Sequence, residues 1–288
     1  MSEMTPTLDG QIPTRRMSFD SAFGQVPRHF AVDGDLILSH LAASLSAVFP
    51  NGEDFFVRSV RRFRDVVTDD ALRRQVNGFI GQEAMHGREH RGFNDRLHAL
   101  GYPTKWFERM IKRGLALRER VLPPIHNLAA TAALEHYTAT LAELLLSSQE
   151  TRALFGNEDV LHLFLWHALE ESEHKAVAFD VYKATGGTER VRVFTMNVVT
   201  IGFLTQMTFQ MIVSVLGDPP TYQPGNFARS WRRFWQSPIM QREVWDRLRD
   251  YNHPDFHPNN RDTTALIEQW RAQLFAPDGA LTDKLAVA

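Results

Sequence analysis

Apolar residues recur at intervals of three and four along most of the chain, which is the spacing of one face of an α-helix. The pattern begins at Asp33 with LILSHLAASLSAVF, breaks at Pro50-Asn51-Gly52, and resumes in a second helix that Glu53 opens. Further helical runs cover about 69–100, 104–121, 124–149, 157–184, 193–216 and, near the end, 262–275. No alternating run is long enough to predict a strand. The pattern therefore predicts an all-α fold, with connections short enough for antiparallel neighbours.

The same pattern divides the chain into three parts. Residues 1–30 are polar with scattered Pro and Gly, and are predicted to form an extended arm. Residues 31–217 hold the longest helical runs and are predicted to form the bundle. Residues 218–288 begin with a stretch rich in Pro, Asn and Trp and are predicted to form a C-terminal extension with additional helices packed on the bundle.

Two segments raise the question of a membrane. Val193–Gly217 runs without a charged residue and is long enough to span a bilayer. It carries Asn197, Gln206 and Gln210, so a buried core helix or tunnel wall is favoured over membrane insertion or surface attachment. The Trp-rich stretch 230–235 is predicted to be an amphipathic helix packed on the bundle, with an interfacial membrane contact or a dimer surface as alternatives.

Composition removes several classes of function. The 288 residues carry a formal net charge of −2, so no nucleic-acid partner is expected. The chain has no cysteine, which excludes disulfides and thiolate ligands, and a metal would be held by oxygen and imidazole. The first residues lack the apolar region of a secretory signal. A cytoplasmic location is the default expectation, with membrane association as the alternative.

Two stretches share the spacing Glu-x-x-His. The first joins Glu83 to His86 and continues to His90, and the second joins Glu171 to His174. His167 precedes the second. At 100° per residue, the Glu and His side chains of each stretch fall within roughly 60° of one helix face. Each helix can therefore direct a carboxylate and two imidazoles at one point.

Two single glutamates complete the pattern. Glu135 lies in an otherwise apolar helical run, where a charge is costly without a partner, and Glu53 opens the helix after the Pro-Asn-Gly turn. The order is thus Glu, Glu-x-x-His, Glu, Glu-x-x-His, which is the order in ferritin-like di-iron and di-manganese bundles. Bridging carboxylates offset the repulsion between two cations. The candidate ligands are Glu53, Glu83, His86, His90, Glu135, His167, Glu171 and His174. Two ions are expected, iron first, with manganese or zinc as alternatives.

Each element also has a structural interpretation. Glu53 could be an acidic residue favoured by a helix N-terminus, and Glu135 could pair with an arginine. His167 could be a core histidine, and His90 could be exposed. Glu173 is predicted to face solvent or to support a ligand from behind. Glu170, Asp180 and His136 are all candidates for the partners that orient the ligands.

The motifs PNGEDFF, GQEAMHGREH, ALEHYTA and WHALEESEHKAVAFDVY resemble the bacterial family of predicted metal-dependent hydrolases. They cover roughly 50–185. The ligand pattern is also similar to that of the di-iron arylamine N-oxygenases, in which an extra histidine lies four residues before the last Glu-x-x-His glutamate. That resemblance implies a ligand role for His167. His90 departs from the minimal ferritin-like pattern and leaves six, seven or eight ligands open.

These features favour an oxygen-activating di-metal oxidoreductase acting on a hydrophobic small molecule, served by an electron-donor protein. The first alternative is a hydrolase that uses a metal-activated water. Another hydrolase interpretation takes His86-Gly87-Arg88-Glu89-His90 as an inverted zinc-protease motif, with Glu89 as the base. A third class is a non-catalytic metal-binding protein. A peripheral membrane contact and a homodimer are further expectations about partners.

Overall fold

The computed structural model describes residues 12–286, and this part of the chain is helical without any strand beyond two isolated bridges. The prediction of an all-α helical bundle is confirmed. The helices are α1 (Leu36–Arg61), α2 (Asp70–Ala99), α3 (Thr104–Val121), α4 (Pro124–Ser147), α5 (Gln149–Arg152), α6 (Glu158–His174), α7 (Val177–Ala184), α8 (Glu189–Leu216), α9 (Asn226–Gln236), α10 (Arg242–Asp250) and α11 (Thr264–Phe275).

The break predicted at Pro50 is wrong, because α1 continues through it to Arg61. Proline has no N–H to donate to the carbonyl four residues earlier, which is that of Ser46. The side-chain amide of Asn94 on α2 donates to that carbonyl at 3.0 Å instead. A tertiary contact thus replaces the missing helical hydrogen bond. Glu53 therefore lies within α1 and not at a helix start.

Helices α1, α2, α4 and α6 pack on one another and form the centre of the bundle. Two apolar clusters lie on either side of this centre. One contains Trp166 and Phe93, and the other contains Phe55, Phe79 and Leu128, all of them fully buried. Helix α3 packs on α1, and α7 packs on α2 and α4. The polar residues of α1, α2, α4 and α6 therefore lie between packed helices at the centre of the bundle.

The described part of the N-terminal arm lies along α2. Two glycines of α2 make this approach possible. A Cβ at Gly78 would lie 2.4 Å from the backbone oxygen of Ile12, and one at Gly81 would lie 2.1 Å from the Thr14 hydroxyl. Arg15 then reaches α6, where it donates to Glu170 and Glu173. The arm thus ties α2 to α6 over the centre of the bundle. Residues 1–11 of the predicted arm lie outside the described residues.

Helix α8 contains the uncharged segment. It packs on α4 and α1, and one side carries buried Met196, Met207 and Gln210. The other side is exposed, so the prediction of a core helix or tunnel wall describes one face of α8 only. It is also long and apolar enough to cross a membrane, with 28% of its most apolar window buried. The structure places the predicted Trp-rich helix 230–235 in α9, adds α10 to the Pro-rich tail and divides the predicted helix 157–184 into α6 and α7.

Candidate metal centre

All eight predicted ligand residues are buried at the centre of the bundle. They come from α1 (Glu53), α2 (Glu83, His86 and His90), α4 (Glu135) and α6 (His167, Glu171 and His174). The helical spacing of three and four residues places the members on α2 and on α6 along one face each, and the bundle turns these faces toward one another. The structure therefore brings the predicted residues together at the centre of the bundle.

Among these eight residues, two groups of three could each hold a metal ion. One group is Glu83, Glu171 and His174, and its ligand atoms lie within 4.8 Å of one another. His174 Nε2 lies 3.0 Å from Glu83 Oε1 and 3.5 Å from Glu171 Oε2. Glu135 Oε2 lies 3.4 Å from the same nitrogen. Three carboxylates thus surround one imidazole nitrogen.

The other group is Glu53, His86 and His167. His167 Nε2 lies 3.7 Å from Glu53 Oε1 and 3.0 Å from Glu171 Oε1. His86 Nδ1 lies 3.6 Å from the same oxygen of Glu171. Glu171 therefore has an oxygen near the imidazoles of both groups, which is the position that a bridging carboxylate requires.

The spacing of these atoms fits a coordination sphere. Ligand atoms about 2.1 Å from one ion are about 3.0 Å apart at a right angle and about 3.4 Å apart at a tetrahedral angle. The separations of 3.0 Å to 3.9 Å around His174, His86 and His167 lie close to these values. Carboxylate oxygens and imidazole nitrogens are also the donors that iron, manganese and zinc share.

Many of these atoms have no other partner. Among residues 12–286, both carboxylate oxygens of Glu53, Glu83 and Glu135 are buried without a hydrogen bond. So are the Nδ1 of His86 and the Nε2 of His174. Buried polar groups are rarely left unpaired, because each such group loses its hydration without compensation. Cations between the two groups would supply the missing partners, and the residues therefore fit a metal centre.

The pKa values show the same need for positive charge. Burial raises the pKa of Glu53 and Glu83 well above the usual range, and the neighbouring carboxylates raise both further. Burial raises the pKa of Glu135 to about 7. Burial also acts on Glu171, but His174 and His167 outweigh it and hold its pKa well below the usual range. The carboxylates cannot all be ionised without added positive charge, and a divalent ion is the kind of charge that would ionise them.

Glu170 holds His86 from the side away from the cluster. Its Oε2 lies 3.1 Å from His86 Nε2, while its Oε1 accepts a hydrogen bond from Arg15 at 2.9 Å. The other ring nitrogen, Nδ1, is thereby turned toward Glu171. Of the three partners left open by the sequence, only Glu170 touches a predicted ligand, since Asp180 contacts His257 and His136 contacts a backbone oxygen.

Gln82 holds His174, a contact that the sequence did not reveal. Its side-chain oxygen lies 2.8 Å from His174 Nδ1, and its amide donates to Glu173 at 2.7 Å. Glu173 is buried and pairs with Arg15 and Arg271, so it supports the ligand from behind and does not face solvent. The sequence offered one signal for Gln82, namely its position directly before Glu83 on the same helix. That position alone does not identify a residue that orients a ligand.

His90 lies behind His167. Its Nε2 is 2.7 Å from His167 Nδ1, and its Nδ1 is 2.9 Å from the Ser46 hydroxyl. Both ring nitrogens of His90 are thus engaged by the protein, which positions His167 with its Nε2 toward Glu171. A ligand role for His90 stays a prediction, and in this arrangement it belongs to neither group of three.

Glu89 is turned away from the cluster. It accepts a hydrogen bond from the backbone N–H of Phe19 at 2.7 Å and another from Arg88 at 2.7 Å. This carboxylate anchors the N-terminal arm. The inverted zinc-protease interpretation would require Glu89 beside the ligand nitrogens of His86 and His90, where Glu83, Glu171, His167 and Ser46 lie instead.

A cavity of about 530 Å³ reaches the centre from one side. Glu53, His167 and Glu171 form its inner end. The remaining wall is mostly aliphatic and aromatic and includes Leu45, Phe49, Met110, Leu134, Phe164 and Phe203. The carboxylates of the centre are thus accessible through an apolar chamber large enough for a small organic molecule.

Comparison with known proteins agrees with this geometry. The family model of predicted metal-dependent hydrolases matches residues 13–262, which include all eight candidate ligands and most of the cavity wall. No curated protein and no solved structure matches the chain. The matched region covers most of the 288 residues. The chain therefore belongs to the family of predicted metal-dependent hydrolases.

Proposed function

We propose that this protein is a di-metal carboxylate enzyme that activates dioxygen to oxidise a hydrophobic small molecule. The observation that carries the proposal is the position of the cavity. An apolar chamber ends on Glu53, His167 and Glu171, at the junction of the two groups of candidate ligands. A substrate without charge would fill the chamber and reach the centre without needing a polar anchor.

Two ions would be held by the two groups. Glu53, His86 and His167 would hold one ion, and Glu83, Glu171 and His174 would hold the other. Glu135 would complete the second group, and Glu171 would bridge the two. Iron or manganese ions, when bound, would supply the electron transfer to dioxygen that no side chain of this chain can provide.

The protein's own residues would set the conditions for that chemistry. Glu170 and Gln82 fix the ring orientation of His86 and His174, so that one nitrogen of each faces the carboxylates. The aromatic wall, with Phe49 against His167 at a centroid distance of 4.5 Å, keeps water from the inner end of the cavity. Exclusion of water protects reactive states from side reactions.

The alternative is hydrolysis by a metal-activated water, which the description of the family favours. The same carboxylates would then hold the metals, and Glu53 or Glu171 at the cavity end would accept the proton of the water. An ester or amide substrate would have to be apolar on both sides of the scissile bond to fit the chamber.

Anaerobic loading with ferrous iron followed by exposure to air separates the two chemistries. We expect about two irons per chain, because four carboxylates and three imidazoles exceed the needs of one ion. We also expect uptake of dioxygen and a change in the optical spectrum. Glu89→Gln, which alters a buried carboxylate away from the centre, is the matched control. Full metal content without oxygen uptake, together with ester hydrolysis, would replace the proposal by the hydrolase alternative.

A further inference from the structure

An apolar stripe runs along the exposed side of α8. It consists of Phe194, Val198, Ile201, Phe209, Ile212 and Leu216, which are between 42% and 68% exposed. The intervals between them are three, four or eight residues, so they share one helix face. No charged residue occurs between Arg192 and Asp218. A continuous exposed face of this kind is unusual in a soluble monomer and marks an interaction surface.

Helix α3 extends this face on the other side of the cavity. Its exposed apolar residues are Trp106, Leu117 and Val121, and the Trp106 ring lies 5.8 Å from that of Phe209 on α8. At 100° per residue these three residues fall within roughly 60° of arc. They lie between the side of α3 that lines the cavity and the side that faces water. We call the stripe of α8 and these three residues the α3–α8 face.

Cations border the face on α3. The helix has six Lys or Arg residues and two Glu residues. Both glutamates are already engaged, Glu108 by Lys105 and Glu119 by Arg58. By contrast, Arg109, Lys112, Arg113 and Arg120 are exposed and form no ion pair with any described residue. The border of the apolar face is therefore positively charged, although the whole chain has a net charge of −2.

The cavity opens within this face. Gly114 of α3 and Gly202 of α8 both line the cavity and are both exposed. A Cβ at either position would meet no atom within 4 Å, so both sides of the opening are clear. The way from the surface to the carboxylates therefore starts between two rows of apolar side chains.

We infer that the α3–α8 face docks on the surface of an anionic lipid bilayer and that the substrate enters the cavity from the acyl region. Apolar residues would enter the acyl boundary, and the four unpaired cations of α3 would contact acidic headgroups. Helix α8 would lie on the bilayer and not cross it, because its other side packs on α4. The lipid-soluble substrate rests on the proposed function, whereas docking does not.

The charges favour a bilayer over a second copy of the chain. In a symmetric dimer the same patch would face itself. The unpaired cations of α3 in the two copies would then be brought together, and no free carboxylate of α3 would oppose them. An anionic membrane offers the complementary charge on every side of the apolar face.

Cosedimentation with vesicles tests the inference without any turnover. We expect the intact chain to bind vesicles of equal parts phosphatidylcholine and phosphatidylglycerol. Binding to phosphatidylcholine alone should be roughly tenfold weaker, and salt should weaken binding to the anionic vesicles. The double substitution Ile201→Gln with Ile212→Gln should weaken binding to both vesicles roughly tenfold, because both side chains are exposed and make no core contact.

The matched control is Leu285→Gln. Leu285 is exposed and forms an isolated antiparallel bridge with Met17, away from α8, so this substitution should leave binding unchanged. Metal content and the helical circular dichroism signal should be equal in all three proteins. Absence of binding to either vesicle would overturn the inference. The inference would also be overturned if light scattering showed a dimer that Ile201→Gln converts to a monomer. Vesicle binding without oxygen uptake would leave docking intact and count against the proposed chemistry alone.

Discussion

Two clusters of histidines and carboxylates lie inside this protein. They differ in whether a positively charged side chain of the protein pairs with the carboxylates. The metal centre is one. The other consists of His29, His40 and Asp218, whose atoms also lie within 4.8 Å of one another. Asp218 Oδ2 is 2.7 Å from His29 Nε2 and 2.9 Å from His40 Nε2.

Side chains of the protein already pair with the carboxylate of the second cluster. His40 Nδ1 lies 2.6 Å from the Ser214 hydroxyl, and the guanidinium of Arg28 lies 2.8 Å from the other oxygen of Asp218. The positive charge that a carboxylate needs is therefore supplied by Arg28. In the described part of the chain, no lysine or arginine pairs with the carboxylates of Glu53, Glu83 and Glu135 in the metal centre, which have only histidines nearby. Proximity of suitable residues thus does not identify a metal site, whereas a group of buried carboxylates without a lysine or arginine partner indicates one.

The largest effect that we expect from a substitution is loss of metal. We expect Glu171→Ala to remove one or both ions, since Glu171 has oxygens near His167 and His174 in the two groups. Glu83→Ala should have a similar effect. Asp218→Asn, in the second cluster, should keep the full metal content. Elemental analysis of the purified variants measures this.

Glu89→Gln is the second control for metal content, because Glu89 anchors the arm through Phe19 and not through the centre. The inverted zinc-protease interpretation expects the reverse pattern, with Glu83→Ala nearly silent. If Glu83 and Glu171 can both be replaced without loss of metal, the metal centre described above is wrong.

A smaller effect concerns stability. Asp218→Asn should lower the free energy of unfolding by about 3 kcal/mol, because it removes the negative charge that Arg28 and two histidines share and replaces one of its two acceptor oxygens by an amide. Urea denaturation of the metal-free protein measures this without interference from the centre. Asp33→Asn is a matched control, since Asp33 pairs with Arg233 at an exposed site and should contribute little. Equal midpoints for the two variants would contradict the structural role of the cluster.

The smallest effect is a pH dependence from His40. Burial lowers its pKa to about 4. An unfolded histidine binds a proton below about pH 6.5, so the unfolded state gains protons first as the pH falls. Stability from this residue is therefore full above pH 6.5 and is lost between pH 6.5 and 4. At pH 5 the loss should be about 2 kcal/mol.

The measurement is the difference in unfolding free energy between the native chain and His40→Gln, followed from pH 8 to pH 4. The difference cancels the titration of groups common to both proteins. A difference that does not change over this range would show that His40 does not carry the pH dependence.

The helices, and the helix faces that carry the candidate ligands, could be predicted from the amino-acid sequence. Helical spacing depends on local geometry alone, so Glu83 and His86 had to share one face, as did His167, Glu171 and His174. The bounds of α2, α3 and α4 followed within a few residues from their breakers and apolar periods. The absence of cysteine fixed the chemistry of the donors.

The residues that contact each helix face could be identified only from the packing of the helices. A period gives the direction of a side chain around its own helix axis, but it does not give the neighbouring helix or its register. Asn94 of α2 therefore lets α1 pass through Pro50, and Glu170 but not Asp180 reaches His86. For the same reason, sequence could not show that Arg28 pairs with Asp218 while only a histidine lies near the carboxylate of Glu135.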